Sequence, residues 1–261
     1  MGRLVILKRL RQESAKHNWF GVAVDLVILI VGVFLGIQVN NWNQDRLNRA
    51  EGKDYRDQIY LDLESNQRDL AFRMRYDGQL LAHAEAALAA LDRPVEDRPG
   101  DFIISAYEAS NHIPQPVRRD TYDEVQGAGK ASFLGDKMLR NRIANYYAGM
   151  ATMQRLFDNI PAYRDSIRSA LPYAVQAAVI KDCPEILETD RYGSVTPSLA
   201  DHCKSSLDPA LARRIAAEVR TIPNLRWQLN RAAADLSQKI LNARKLSEEA
   251  ERLKQQIRAS G

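Results

Sequence analysis

Cysteine and histidine are the side chains best able to ligate metals or act as nucleophiles, and this chain contains few of either. Its 261 residues include two cysteines, Cys183 and Cys203, and four scattered histidines. A structural zinc site usually brings four ligands with paired C-x₂₋₄-C spacing, whereas Cys183, His202 and Cys203 supply only three. Outside the cytoplasm, an isolated pair of cysteines favours a disulfide, which we predict here. A metal site and free thiols are the alternatives.

The sequence contains no recognisable catalytic motif. It has no H-E-x-x-H, no G-x-S-x-G and no dinucleotide fingerprint. The segment 127–130 (GAGK) lacks the G-x-x-x-x-G-K-[ST] pattern of a phosphate-binding loop and is predicted to be a turn. We therefore predict a protein that is not an enzyme and that has no catalytic residue, no metal ligand and no cofactor.

One group of charged and aromatic residues has two possible uses. Arg118, Arg119, Asp120, Tyr122 and Lys130 lie close together in sequence around a short predicted helix. They could line a polar pocket, but ion pairs at a helix entry are the commoner use of such residues. We favour the salt-bridged helix entry.

Residues 19–39 form an apolar run that is long enough to cross a bilayer as one helix, since spanning takes about 20 residues at about 1.5 Å each. A signal peptide has a shorter apolar region, about 7–15 residues, which ends at small residues of the A-x-A kind. No such site follows the run here. Trp19 and Trp42 bracket it at the levels where aromatic rings prefer the headgroups. We predict an uncleaved transmembrane helix with these two residues as interface anchors.

The charge distribution predicts the orientation of this helix. Residues 1–18 contain five basic residues and one acidic residue, whereas residues 40–57 mix both signs. Because Lys and Arg near a span stay in the cytoplasm, we predict a basic cytoplasmic arm at 1–18 and an extracytoplasmic domain at 44–261. The arm carries the whole net charge of +4, so the exported part lacks the basic surface of a nucleic-acid binder. Nucleic acid is therefore excluded as a partner.

One face of the predicted span carries polar and small residues. At about 100° per residue, four residues fall within about 20° of one line: Asp25, Gly32, Gly36 and Asn43. The G-x-x-x-G pair permits close approach of two helices in lipid, and an acid at membrane depth usually faces a partner. We predict a membrane association face; snorkelling of Asp25 to the headgroups is the alternative.

Two stretches of the chain resemble an uncharacterised bacterial family of single-pass inner-membrane proteins, a domain of unknown function. Residues 19–46 carry its anchor motif, D-x₆-G-x₃-G-I-Q-V-x-N-W-N, and residues 121–147 (TYDEVQGAGKASFLGDKMLRNRIANYY) resemble its second recurring stretch. The resemblance covers the C-terminal third poorly. It implies an N-terminal anchor in the bacterial inner membrane and a helical periplasmic domain, and it implies no activity, cofactor or catalytic residue.

Hydrophobic periodicity predicts an all-α fold with long, heptad-like first and last exported helices. Apolar residues recur every seven positions from Tyr55 to Leu91, which is typical of helices packed at shallow angles. Gln67 and Asp77 interrupt that seam. The last helix, about 224–258, repeats the pattern with Lys239 in one slot, and we expect it to pack antiparallel to the first. No useful strand alternation is present, and residues 182–207 are predicted to be a disulfide-closed loop.

Polar residues and prolines mark the ends of the shorter helices. Thr121 and Glu124 have the spacing of a capping box, and Asp136 and Asp208 are predicted N-caps. Pro172 is predicted to kink one helix that continues to about residue 181.

Together these patterns predict a membrane-anchored, non-enzymatic periplasmic binding or scaffold module. Its expected partners are the lipid bilayer and either a second copy or another inner-membrane protein. A periplasmic ligand sensor that signals through the span is the alternative, and an unrecognised periplasmic enzyme is the third interpretation.

Overall fold

A computed structural model describes residues 19–114, 117–189, 193 and 195–259 of the chain. The predicted cytoplasmic arm at 1–18 and the side chain of Trp19 lie outside the described part. The chain divides into two compact units, Met1–Asp54 and Tyr55–Gly261. We call the second the helical unit and describe each unit by itself.

Helices make up most of the described residues, as the hydrophobic periodicity predicted. In chain order they are α1 (Trp19–Leu91), α2 (Pro99–Glu108), α3 (Asp120–Gly127), a 3₁₀ turn (Ala131–Leu134), α4 (Lys137–Asp158), α5 (Ala162–Ala170), α6 (Tyr173–Asp182), α7 (Pro209–Arg220) and α8 (Leu225–Ala259). One antiparallel hairpin, β1 (Glu185–Thr189) with β2 (Val195–Leu199), lies between α6 and α7.

The first unit contains the apolar segment of α1. An 18-residue window there has a mean hydropathy of 2.6, and none of that window is buried. All described side chains from Val22 to Leu47 are exposed. A core helix of similar composition would be buried against the rest of its domain. The segment is therefore long and apolar enough to cross a membrane, in agreement with the sequence prediction.

Two large apolar cores stabilise the helical unit, and a small one lies between them. One packs the start of the unit's α1 portion against α4 and the end of α8, with Leu63, Ile143 and Leu253 at its centre. The other large core is formed by residues of α2, α5, α6, α7 and the start of α8. The small core joins α1, β2 and α8 through five residues: Phe72, Tyr76, Leu80, Leu199 and Leu236.

The predicted antiparallel pairing of α8 with the part of α1 in the helical unit is confirmed. Gln67 donates from Nε2 to the carbonyl of Ser247 at 3.1 Å, and Arg226 pairs with Asp92 at 2.5 Å. Residues later in α1 thus contact residues earlier in α8, so the two helices run in opposite directions. One predicted heptad row of α8 is fully buried: Leu229, Leu236, Ala243, Ala250 and Ile257.

Two of the three predicted N-caps are confirmed. Asp136 accepts from the amide of Leu139 at 2.8 Å, and Asp208 accepts from two amides at the start of α7. The predicted capping box is wrong, because α3 begins at Asp120 and Thr121 lies inside the helix with 8% exposure. A tertiary contact precedes this helix instead: the side-chain amide of Asn66 hydrogen-bonds both the N–H and the C=O of Arg118.

The chain around Pro172 and the chain between the cysteines differ from the prediction. The expected kinked helix is two helices, because Leu171 and Pro172 are extended and Pro172 serves as the N-cap of α6. The segment predicted as an irregular loop contains the β-hairpin. Each strand has only five residues, all of β1 is exposed, and β2 contains Pro197, which an edge strand tolerates.

Candidate functional site

Cys183 and Cys203, predicted to pair, lie at disulfide distance with their Cα atoms 5.1 Å apart. Native disulfides usually have Cα separations of about 4.4–6.8 Å. Cys183 caps the C-terminus of α6, and Cys203 follows β2. Because the two sulfurs are next to each other, neither is free to ligate a metal with His202.

The segment after β2 forms one wall of an open cleft with a volume of about 420 Å³. We call it the disulfide cleft. Residues of α1 and α2 form its other walls, and Ile104 and Leu199 are buried apolar residues among them. Its polar lining consists of Gln79, His83, Asp101, Ser105, Asp201 and His202. Small-molecule sites typically have volumes of about 300–1,000 Å³, so the cleft has the size of a ligand site.

Hydrogen bonds hold this wall against the helices. The side-chain amide of Gln79 on α1 donates to the carbonyl of Leu199 and accepts from its N–H, both at 3.0 Å. Asp182 accepts from the amide of Ser206 at 2.6 Å. These contacts and the cysteine pair tie the wall at both ends, which is what a preorganised site requires.

Gly100 allows a further close contact beside the cleft. A Cβ atom at this position would lie 2.5 Å from the Cβ of Ser205, so only glycine lets the first turn of α2 approach this closely.

The lining contains two carboxylates, two imidazoles and no Lys or Arg. In the described part of the chain, neither Asp101 nor Asp201 has an ion-pair or hydrogen-bond partner. Burial lowers the pKa of His83 below its ordinary value, so this imidazole is neutral near pH 7 and serves as a hydrogen-bonding group. The cleft is therefore electrically negative.

Ser105, His83 and Asp101 are the residue types of a nucleophilic relay. In the described residues no hydrogen bond links Ser105 to either histidine of the cleft. An activated serine needs such a bond to its base. The arrangement is thus one of separate binding groups along a wall, and the sequence-based prediction about enzymatic activity stays a prediction.

A second polar feature, which sequence reasoning missed, lies inside the helical unit. Arg73 and Asp77 of α1 are each 5% exposed, and Arg73 Nη2 and Asp77 Oδ2 are buried without a hydrogen-bond partner among the described residues. Burial raises the pKa of Asp77, and the positive charges of Lys239 and Arg73 oppose that rise. We call Arg73, Asp77 and Lys239 the buried charge cluster. The signal was present, since Asp77 and Lys239 both occupy apolar positions of the heptad pattern.

Arg168 of α5 organises another buried network at the end of α2. Its guanidinium donates to Ser110 Oγ at 2.9 Å, to the Tyr107 hydroxyl at 2.5 Å and to Asn111 Oδ1 at 2.6 Å. Glu108 accepts from Asn111 Nδ2 at 2.5 Å. Burial raises the pKa of Glu108 to about 7, against the opposing effects of Arg168 and Asn111. Glu108 therefore titrates near neutral pH.

The residues around α3 form the expected salt-bridged helix entry. Arg119 pairs with Asp123 through two hydrogen bonds, at 2.6 and 2.7 Å. Tyr122 stacks on Tyr147 with ring centroids 4.5 Å apart, and Tyr146 packs edge-on against the same ring. The two adjacent tyrosines are core residues of the helical unit.

The predicted membrane association face lies on α1 and is exposed. A Cβ atom added at Gly32 or Gly36 would meet nothing within 4 Å. Trp42, one of the two predicted interface anchors, is exposed as well. Coverage of this face by a second helix stays a prediction.

Searches of protein-family models, of curated proteins and of solved structures find no match to this chain. The resemblance of residues 19–46 and 121–147 to a single-pass membrane family stays a prediction.

Proposed function

We propose that this protein is a membrane-anchored, non-enzymatic binding or scaffold module. The observation that carries the proposal is the fully exposed apolar segment of α1, which in the same chain precedes a compact helical unit. An exposed segment of this length is stable in a bilayer and not in water. The basic arm at 1–18 supports a cytoplasmic N-terminus, and the helical unit then lies in the periplasm of a bacterium, at the inner membrane.

The helical unit supports a binding role through its disulfide cleft. The cleft is preorganised by Gln79 and by the cysteine pair, and the side chains of Asp101 and Asp201 have no hydrogen-bond or ion-pair partner within the described chain. Polar groups in such a position gain hydrogen bonds when a ligand or partner arrives. The partner in the membrane would be a second copy or another inner-membrane protein, on the predicted face of the span.

A ligand sensor is the second candidate, and one observation favours it. Gln79 and His83 of the cleft belong to α1, the same helix that contains the apolar segment. Occupation of the cleft would then act on the helix that enters the membrane.

Crosslinking in native membranes, followed by affinity purification and mass spectrometry, tests the proposal. We expect the full-length chain to stay in the membrane pellet after an alkaline carbonate wash. We also expect reproducible crosslinks to a second copy or to one membrane protein. Release by carbonate would contradict the anchor, and a purely monomeric protein, under conditions that trap a known dimer, would contradict the scaffold role.

A further inference from the structure

The negative sign of the disulfide cleft indicates what kind of ligand it can hold. Asp101 and Asp201 contribute two carboxylates, no Lys or Arg lines the cleft, and neither carboxylate is paired with another described residue. An anion would be repelled by both groups, whereas a cation would form charge-assisted hydrogen bonds with them.

The distribution of the polar groups argues for an extended ligand. His83 and His202 line the same cleft as the two carboxylates, yet in the described residues no three His, Cys, Asp or Glu side chains converge closely enough to hold a metal ion. The four side chains therefore do not form one metal-binding cluster, and the same cleft exposes the apolar side chains of Ala82 and Ala86, whereas Ile104 and Leu199 in its lining are almost fully buried. A compact divalent ion would leave most of the 420 Å³ volume unfilled.

We propose that the disulfide cleft binds a small organic amine. Its ammonium groups contact the carboxylates of Asp101 and Asp201, and its hydrocarbon part packs on the exposed side chains of Ala82 and Ala86. The imidazoles of His83 and His202 accept or donate the remaining hydrogen bonds. This inference rests on the proposed binding function and names the ligand class for it.

Isothermal titration calorimetry on the full-length protein in detergent micelles tests the inference. The probes are n-butylamine, 1,4-diaminobutane and the neutral 1,4-butanediol, which matches the diamine in length. We expect both amines to bind with one molecule per chain and the diol not to bind. Because a hydrogen bond to a charged group is lost, Asp201→Asn should weaken amine binding by about tenfold or more, and Asp101→Asn similarly.

Glu85→Gln is the matched control, since it removes one negative charge from an exposed position of α1 outside the cleft. Its amine affinity should equal that of the unsubstituted protein. Asp101 lies in the first turn of α2, where its replacement also weakens the helix. Asp201 lies outside the helices and strands, so its variant gives the decisive comparison, with circular dichroism confirming that each variant is folded.

Four results would overturn the inference. The first is that neither amine binds up to about 10 mM, which corresponds to a binding free energy weaker than about 3 kcal/mol. The second is that the diol binds as tightly as the diamine, and the third is that Glu85→Gln weakens amine binding as much as the aspartate variants do. The fourth is that the cleft binds Zn²⁺ in place of the amine, and that His83→Ala and His202→Ala abolish this Zn²⁺ binding. Loss of amine binding with intact membrane crosslinks would reject this inference alone. Amine binding without crosslinks would reject the scaffold role and keep the cleft.

Discussion

Asp77 of α1 and Lys239 of α8 line the same small cavity, whose volume of about 20 Å³ is close to the space of one water molecule. Arg73 and Asp235 line it as well, so two basic groups and two carboxylates share this site, of which Arg73 and Asp77 are buried. Burial lowers the pKa of Lys239 and raises that of Asp77, and each charge partly offsets the shift of the other. These groups depend on one another for their charged states.

Removal of Asp77 alone should therefore destabilise the helical unit strongly. Asp77→Ala removes a carboxylate from beside the buried Arg73 and the half-buried Lys239 and leaves them the other carboxylates around them, Asp69 and Asp158 for Arg73 and Asp235 for Lys239. Breaking a buried ion pair typically costs about 3–5 kcal/mol. The double variant Asp77→Leu with Lys239→Leu should be more stable than Asp77→Ala, because apolar side chains suit these heptad positions. Chemical unfolding followed by circular dichroism measures both, with Glu85→Gln as the control. A loss below about 1 kcal/mol for Asp77→Ala would mean that the cluster is not coupled.

Glu108 should make folding stability depend on pH. Its pKa is about 7 in the folded protein and near its ordinary value of 4.5 when unfolded. The folded state thus binds the proton more tightly. The contribution of Glu108 to the free energy of unfolding is complete below pH 4.5, declines as the pH rises, and is lost above pH 7. The decline is about 1.4 kcal/mol per pH unit between these two pKa values, and its total is near 3 kcal/mol.

Glu108→Gln keeps a neutral acceptor for Asn111 and removes this titration. Unfolding free energies measured at about pH 5 and pH 8 should show a smaller decline in the variant than in the unsubstituted protein, by about 2–3 kcal/mol. Equal pH dependence in both proteins would contradict a titrating Glu108.

The cysteine pair should be oxidised in the cell. A thiol-alkylating reagent should label Cys183 and Cys203 only after reduction, because both sulfurs are joined. Closing a loop of about 20 residues stabilises a fold by about 3 kcal/mol in the chain-entropy model, so replacing both cysteines by serine should lower thermal stability and leave membrane insertion intact. Labelling without reduction would rule out the disulfide.

The C-terminus of the chain should lie outside the cytoplasm. A reporter enzyme that is active only in the oxidising compartment, fused after Gly261, should be active, because the basic arm at 1–18 retains the N-terminus inside. A fusion of the same reporter to the N-terminus is the control and should be inactive. A stable but inactive C-terminal fusion would contradict the predicted topology.

The predicted association face of the span can be tested by adding side chains to it. Replacing Gly32 and Gly36 by Leu should strongly reduce crosslinked species, since bulk at a G-x-x-x-G contact separates two helices. Asp25→Asn should weaken association by only about 0.6–2 kcal/mol. Leu at Val27 or Val31, on other faces of the helix, is the matched control. Equal crosslinking in all variants would place the contact in the helical unit.

Local patterns accounted for most of the helical architecture. The end of α1 at Leu91, the buried heptad row of α8 and the caps at Asp136 and Asp208 all follow from periodicity and short-range hydrogen bonding, which neighbouring residues decide. The capping box at Thr121 failed because Asn66, far away in sequence, holds the backbone that enters α3. A long-range contact prevailed there over a local preference.

The sequence by itself determined the apolar segment, the all-α class and the isolated cysteine pair, because each depends on composition or on spacing along one element. Only the tertiary structure decided the disulfide cleft. Its walls come from three distant segments, which the amide of Gln79 and the backbone of Leu199 join across the fold. The same holds for the proximity of Asp77 and Lys239. Each is a charged residue at an apolar position of the heptad pattern, but the register of two antiparallel helices places them at one cavity. Such a register is set by packing over the whole interface, which no short stretch of sequence encodes.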